Sequence, residues 1–335
     1  EIYGARVTVD GTLIDTLGIP ISVGEGDRVY PAIAFDGTNY FVVWSDDRNG
    51  DWLFEIYGAR VTREGVLIDT LGIPISIGDG NRLYPSIAFD GTNYLTAWSD
   101  DRDGDGDYDI YGSRVTTQGQ VLEPEGIPIS TADYQQFIFR GITFGGGNYF
   151  LVWMDDRDGD WYYDLYGARV SPAGVVLDTL GIPIALAENN QFLPRLSFTG
   201  NTYSVVWMDD REEEEDFRLY FARVRSDGVV IDTNGRRLTD ELGFYPAISF
   251  DGTNYLISYI QGWADLYGMR IRPDGVVIDT GGFVITSGGQ SFPAVTFGRD
   301  KYFVSWTDFY RGEDEDLYGA RITTEGVVLD TAGFL

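Results

Sequence analysis

Short runs in which apolar residues follow one another or alternate with polar ones recur along the whole chain, each closed by a turn. Residues 30–35 (Tyr30-Pro31-Ala32-Ile33-Ala34-Phe35) form one such run, ended by Asp36-Gly37-Thr38-Asn39. Residues 40–44 (Tyr40-Phe41-Val42-Val43-Trp44) form the next, rich in β-branched and aromatic side chains. Two such runs joined by a short Asp-Gly link predict an antiparallel hairpin, because glycine reaches the positive φ that a tight turn demands. A loop at 46–54 then leads to a third run, Glu55 to Val61, and a second tight turn at Arg63-Glu64-Gly65 leads to a fourth, Val66-Leu67-Ile68. Apolar positions never recur with a 3.6-residue period, so the unit predicted is four antiparallel strands and the fold class all-β.

The third run is the marker of a repeat. Its tyrosine stands at Tyr3, Tyr57, Tyr111, Tyr166, Tyr220, Tyr267 and Tyr318, giving spacings of 54, 54, 55, 54, 47 and 51 residues. A four-strand unit recurring at this period predicts a β-propeller, since each sheet buries its faces against its neighbours. First hairpins number six, ending at Trp44, Trp98, Trp153, Trp207, Tyr259 and Trp306, whereas second hairpins number seven. The expectation is a single six-bladed domain over 1–335, with blades at about 29–77, 83–131, 137–186, 192–240, 244–286 and 291–335. One outer hairpin, 1–22 or 316–335, is left over for ring closure or for linking subunits. Unpaired strand edges template such addition, so filaments formed by hairpin or strand exchange are expected, with the chain itself as partner.

The order Pro31…Phe35-Asp36-Gly37…Trp44-Ser45-Asp46-Asp47-Arg48-Asn49-Gly50…Glu55-Ile56-Tyr57…Gly65 resembles the TolB-type β-propeller repeat. That family joins an Asp-Gly hairpin to a Ser-Asp-Arg-x-Gly loop and an Asp-Ile-Tyr strand. The resemblance covers nearly the whole chain and implies a mostly six-bladed fold. It implies no particular activity, because the family includes binding scaffolds as well as domains attached to enzymes. The loops here are longer, and one extra residue splits the Asp-Arg pair.

Charge narrows the function. The chain carries 53 acids against 24 bases, a formal charge of −29, and its one lysine is Lys301. Such a field repels nucleic acid and anionic lipid, so neither is expected as a partner. No apolar run approaches the roughly 18 residues of a membrane span, so no membrane insertion is expected. Cysteine and histidine are absent, which excludes thiol chemistry and imidazole ligation. Acidity and the start without Met lead to the expectation of a secreted or cell-surface protein.

The acids concentrate in the links between second and third runs. Two carboxylates about 4 Å apart repel by roughly 4 kcal/mol at an effective dielectric of 20, so a bound hard cation, calcium first, is expected to offset them. The candidate ligands are Asp46, Asp47 and Asp51, then Asp100, Asp101, Asp103, Asp105, Asp107 and Asp109, then Asp155, Asp156, Asp158, Asp160 and Asp164. No EF-hand spacing occurs. The alternative use of these acids is to pair with the arginine of each heptad or to cap loop N–H groups. Aromatics in the same links, Trp52, Trp161 and Trp263 foremost, suit stacking on sugar rings, which makes glycans the alternative partners and a lectin-like propeller the alternative function. Because the acids recur in nearly every blade, no catalytic residues are expected. The reading from sequence is a non-catalytic structural or binding propeller, cation-stabilised on an acidic face and self-assembling.

Overall fold

A computed structural model describes residues 1–309 and 316–334. Residues 310–315, including the loop aromatic Tyr310, and Leu335 lie outside the described residues. Every regular element is a strand, and the chain is a six-bladed β-propeller of mainly four-stranded antiparallel sheets with one extra hairpin. Blade one is built from Asp27–Phe35, Asn39–Asp47, Glu55–Thr62 and Ile73–Ser76. Blade two repeats it with Asn81–Phe89, Asn93–Asp101, Asp109–Thr116 and Ile127–Ser130. In blade three the first strand is broken into Gln136–Phe137 and Ile142–Gly145, both paired with Asn148–Asp155. Blades four and five follow the four-strand plan. In blade six, Gln290–Gly298, Lys301–Asp308 and Asp316–Thr323 pair in order, and Gly319 bridges to Phe334 in place of a full fourth strand.

The terminal stretch 316–334 is therefore part of blade six, and the surplus hairpin is the N-terminal one, Ile2–Gly4 paired with Ile19–Ser22. Ile2 and Ile21 pack there against Val42, Trp44, Ala59 and Val61 of blade one.

The chain divides into two compact units. One comprises Glu1–Val7, Ile14–Trp161 and Leu165–Pro183, the other Thr8–Leu13, Tyr162–Asp164 and Ile184–Leu335. Within the first, the opening strands of blades one, two and three lie beside one another; within the second, those of blades four, five and six do. Second strands of blades one to five are covered on both faces, as from Asn93 to Asp101, where everything after the first residue is buried; in blade six, Lys301–Asp308 alternates buried with half-buried. Cover on both faces is why the first five read as continuous apolar stretches instead of alternating ones. The tryptophans Trp44, Trp98, Trp153, Trp207 and Trp306 are fully buried on second strands.

Each opening strand also carries a bulge near its start, where a non-glycine residue adopts positive φ: Tyr30 (55°), Tyr84 (58°), Arg140 (52°), Leu193 (52°), Tyr245 (52°) and Phe292 (49°). Such conformations cost on the order of 1–3 kcal/mol and persist only where the surroundings impose them. Proline follows in five of the six, whereas glycine, Gly141, follows Arg140.

Glycine is required where the links into blades one and two pass under the loop that follows the second strand of the same blade. Gly80 has φ +79°, and a Cβ there would stand 1.8 Å from the carbonyl oxygen of Asp101; Gly26 repeats this against Asp47 at 1.9 Å. Gly91, also at positive φ, has open space around it. Gly80→Ala is expected to lower stability by clearly more than the roughly 1 kcal/mol left-handed penalty that Gly91→Ala incurs. Equal midpoints for the two variants in urea unfolding would contradict this account.

Candidate functional site

The last residues of each second strand set the loops. Asp46, Asp100, Asp155 and Asp209 are buried, and each accepts the indole N–H of the tryptophan two residues earlier at 2.6–2.7 Å. Period two puts tryptophan and aspartate on one face of the strand. Each carboxylate also receives the loop arginine two residues on: Arg48 Nη2 at 2.7 Å, Arg102 Nη2 at 2.6 Å, Arg157 Nη2 at 2.5 Å, and Arg211 likewise. The first three guanidiniums lie 3.6 Å over the heptad tyrosines Tyr57, Tyr111 and Tyr166, and Arg211 lies 4.2 Å over Tyr220. Their Nη1 atoms reach the carbonyls of Leu71, Glu125 and Leu180 in the first three blades. Burial raises the pKa of Asp46, but bonds from Arg48 and Trp44 outweigh it and hold the carboxyl below its usual range.

The next acid caps backbone. Asp47 accepts from Asp51 N and Trp52 N, Asp101 from Gly106 N, Asp156 from Trp161 N, and Asp210 from Glu215 N, at 3.0–3.2 Å. The heptad arginines do not use loop acids. Arg60 holds Asp69 bidentately, Nε to Oδ2 and Nη2 to Oδ1 each at 2.8 Å. The same nine-residue pairing joins Arg6 to Asp15, Arg114 to Glu123, Arg169 to Asp178, Arg223 to Asp232, Arg270 to Asp279 and Arg321 to Asp330.

The sequence-predicted ligands therefore separate into groups with different work. Asp46, Asp100 and Asp155 are paired in the interior, and Asp47, Asp101 and Asp156 serve as loop caps. Asp51 accepts from Leu53 N at 3.1 Å, Asp158 and Asp160 stand exposed at a loop tip, and Asp164 opens a heptad strand half-buried. Among the described residues no three acidic side chains are placed to hold a metal ion. At Asp46, Asp47, Asp100, Asp101, Asp155 and Asp156 the repulsion is met by arginine and backbone N–H groups. Trp52, Trp161 and Trp263 stand 72%, 76% and 76% exposed, and Trp263 leans on Phe244 with ring centroids 4.4 Å apart.

One cluster does converge. Asp103, Asp105, Asp107 and Asp109, joined by Asp133, Ala132 and Tyr134 from the link into blade three, line a cavity of about 350 Å³ in the first unit. That link docks on the loop: Gln136 N donates to Tyr108 O at 2.7 Å, and Gln135 Nε2 donates to Gly106 O at 2.5 Å and Asp107 Oδ1 at 3.0 Å. Burial, then the charges of Asp100 and Asp103, push the Asp109 carboxyl up to about 6. From this cavity an aromatic path runs inward, Tyr108 to Phe137 (5.1 Å), Phe137 to Tyr84 (6.1 Å), and Tyr84 to both Phe139 (4.0 Å) and Tyr30 (4.4 Å). The sequence reading reached the four loop aspartates but missed Asp133, Tyr134 and the path. The one signal for them was the broken first-strand pattern of blade three.

No family model matches the chain, and no curated protein matches it. Solved structures do. A Penicillium chrysogenum α-L-arabinanase complexed with arabinobiose is 12% identical, covers 90% of this chain and 94% of its own, and superposes with a TM-score of 0.56. A subtype N10 neuraminidase-like protein of A/little yellow-shouldered bat/Guatemala/060/2010 is 10% identical with 90% and 95% covered, TM-score 0.56. Trypanosoma rangeli sialidase in complex with sialic acid is 10% identical with 94% and 56% covered, TM-score 0.53. At such identity the likeness shows the fold. It also corrects the expectation of a non-catalytic structural propeller, cation-stabilised and filament-forming, and its lectin-like alternative: carbohydrate enzymes are built on this fold. The physical premise of that expectation also fails, because the blades are not equivalent. Among the described residues, many of the repeated acids are consumed in pairs and caps, and the Asp103–Asp109 set converges on one cavity.

Two outcomes follow from the geometry. Asp100→Asn leaves the Arg102 guanidinium, which is held against that buried carboxylate, without its charge partner and is expected to cost about 3–5 kcal/mol in urea unfolding. Folded Asp109 keeps its proton up to pH about 6, whereas the unfolded chain releases it near 4, so this group makes stability fall as pH rises from about 4 through 6. Asp109→Asn is expected to remove that slope and to raise the melting temperature at pH 7 by about 2 °C, while a variant that melts below the parent at pH 7 would contradict the assignment.

Proposed function

We propose that this protein is a carbohydrate-active enzyme that hydrolyses glycosidic bonds at the Asp103–Asp109 cavity. One observation carries the reading: Asp109, held at about 6, is proton-loaded in mildly acidic water beside other carboxylates lining the same cavity. Glycoside hydrolysis needs two carboxyl groups in opposite protonation states, and environments that separate their pKa values supply them. Asp109 would give its proton to the glycosidic oxygen as the bond to the anomeric carbon breaks. A neighbouring side chain of the same cavity, Asp103 or Asp105, would take a proton from the water that adds there. Tyr134, half exposed at the cavity wall, and the Tyr108–Phe137 pair offer ring faces and a hydroxyl to a sugar. The fold likeness to an arabinanase and a sialidase supports the substrate class without choosing within it.

The test is sugar release from arabinan, xylan and sialyllactose between pH 4 and 8. At least one is expected to be cleaved, with activity declining above pH about 6 as Asp109 loses its proton. Asp109→Asn is expected to reduce kcat by about 10²–10⁴-fold with substrate binding retained. No release from any of the three, or an Asp109→Asn variant as active as the parent, would sink the proposal.

A further inference from the structure

Arg140 is exposed and makes no hydrogen bond or ion pair with any described residue, in a chain with 53 acids; Arg63 likewise has none, but it lies over the Phe35 ring at a tight turn. The heptad and loop arginines, by contrast, are all held by carboxylates wherever they are described. The Arg140 backbone is fixed at φ 52°. Ile138 N, two residues before, donates to Ser99 Oγ at 3.1 Å, and Gly141 O, just after, accepts from Val152 N at 2.9 Å. A Cβ at Gly141 would stand 2.1 Å from the carbonyl oxygen of Val152, so glycine is what lets the strand approach this closely. At the matching bulge position blades one and two present Tyr30 and Tyr84. The Arg140 position therefore continues the aromatic path, directly after Phe139, which lies against Tyr84. Desolvation by the surrounding chain lowers the pKa of Arg140.

We propose that Arg140 is a recognition residue for the carboxylate of an acidic sugar, seated on the Tyr30–Tyr84–Phe139 rings. The proposal rests on the carbohydrate reading above and narrows its substrate class. A planar guanidinium binds a carboxylate bidentately, and it does so with least loss of entropy when its backbone is already held. The surrounding excess of acid repels anions at long range. At physiological salt that repulsion is screened beyond about 8 Å, so an anion already stacked on the rings feels Arg140 foremost. Free energy is gained only by a ligand that brings both a ring face and a charge; a neutral sugar leaves the guanidinium unpaired.

Calorimetric binding at pH 7 to trigalacturonate and its methyl ester, and to sialyllactose and lactose, tests this and separates hexuronates from nonulosonates. The parent is expected to bind the acid member of one pair at least about tenfold more tightly than its neutral partner. Arg140→Gln is expected to erase that preference while leaving the neutral partner's affinity within about twofold. Arg140→Asn, suited to the left-handed backbone, controls for strain and is expected to behave alike. Equal binding of acid and neutral members by the parent, or a preference surviving in both variants, overturns the Arg140 assignment alone. No binding of any of the four sugars overturns the Arg140 assignment, whereas the carbohydrate reading falls only if arabinan, xylan and sialyllactose all go uncleaved. Loss of hydrolysis in Asp109→Asn with the acid preference intact shows that the two sites are independent and supports the assignment.

Discussion

A carboxylate placed at the dry end of the second strand in blades one to four is the constraint on which their loops depend. An isolated buried charge costs several kcal/mol, so Asp46, Asp100, Asp155 and Asp209 persist only because an indole N–H and a guanidinium meet each of them. That demand ties three separate stretches together: the tryptophan inside the strand, the arginine at the start of the loop, and the heptad tyrosine under the guanidinium. The loop is thus drawn back over its own sheet, and its second acid turns inward to cap the chain. Only the residues beyond this clamp are left to face solvent with unspent charge.

A second clamp does the same on the other end of the heptad strand, where arginine grips a carboxylate nine residues on, across the tight turn. The surplus N-terminal hairpin carries this clamp too, through Arg6 and Asp15. In the first unit Gly65 lies close to Arg6, as Gly119 does to Arg60 and Gly174 to Arg114; in the second, Gly11 lies close to Arg321, as Gly326 does to Arg270. The hairpin therefore makes the contacts of a blade's outer half. Charge in this molecule is mostly structural, which explains how so acidic a chain folds compactly.

Function then has to be sought where the repeat is broken. The blade-two loop is spelled Asp-Gly-Asp-Gly-Asp-Tyr-Asp, with two glycines that let its carboxylates gather about one cavity. Blade three, immediately after, exchanges an aromatic–proline pair for Arg140-Gly141 and interrupts its first strand. Blade five ends its second strand with Gln261 and has neither clamp aspartate nor clamp arginine. Departures from the consensus, adjacent in the first unit, bring opposite charges to the two ends of one aromatic path.

By itself the sequence determined the strands, their four-fold grouping, the number of blades and the presence of a spare hairpin, because side-chain periodicity, turn glycines and a 50-residue repeat are local or additive signals. It also showed that acid gathers between second and third strands. What it could not tell was which acids are spent: Asp46 and Asp103 look alike in a row of letters, and only packing against Trp44 and Arg48 distinguishes an interior partner from a free carboxylate. Nor could it tell that Asp109 is half-buried beside Asp100, or that Arg140 finds no acid to pair with. Those facts depend on distances between segments tens of residues apart, and the tertiary structure alone decided them.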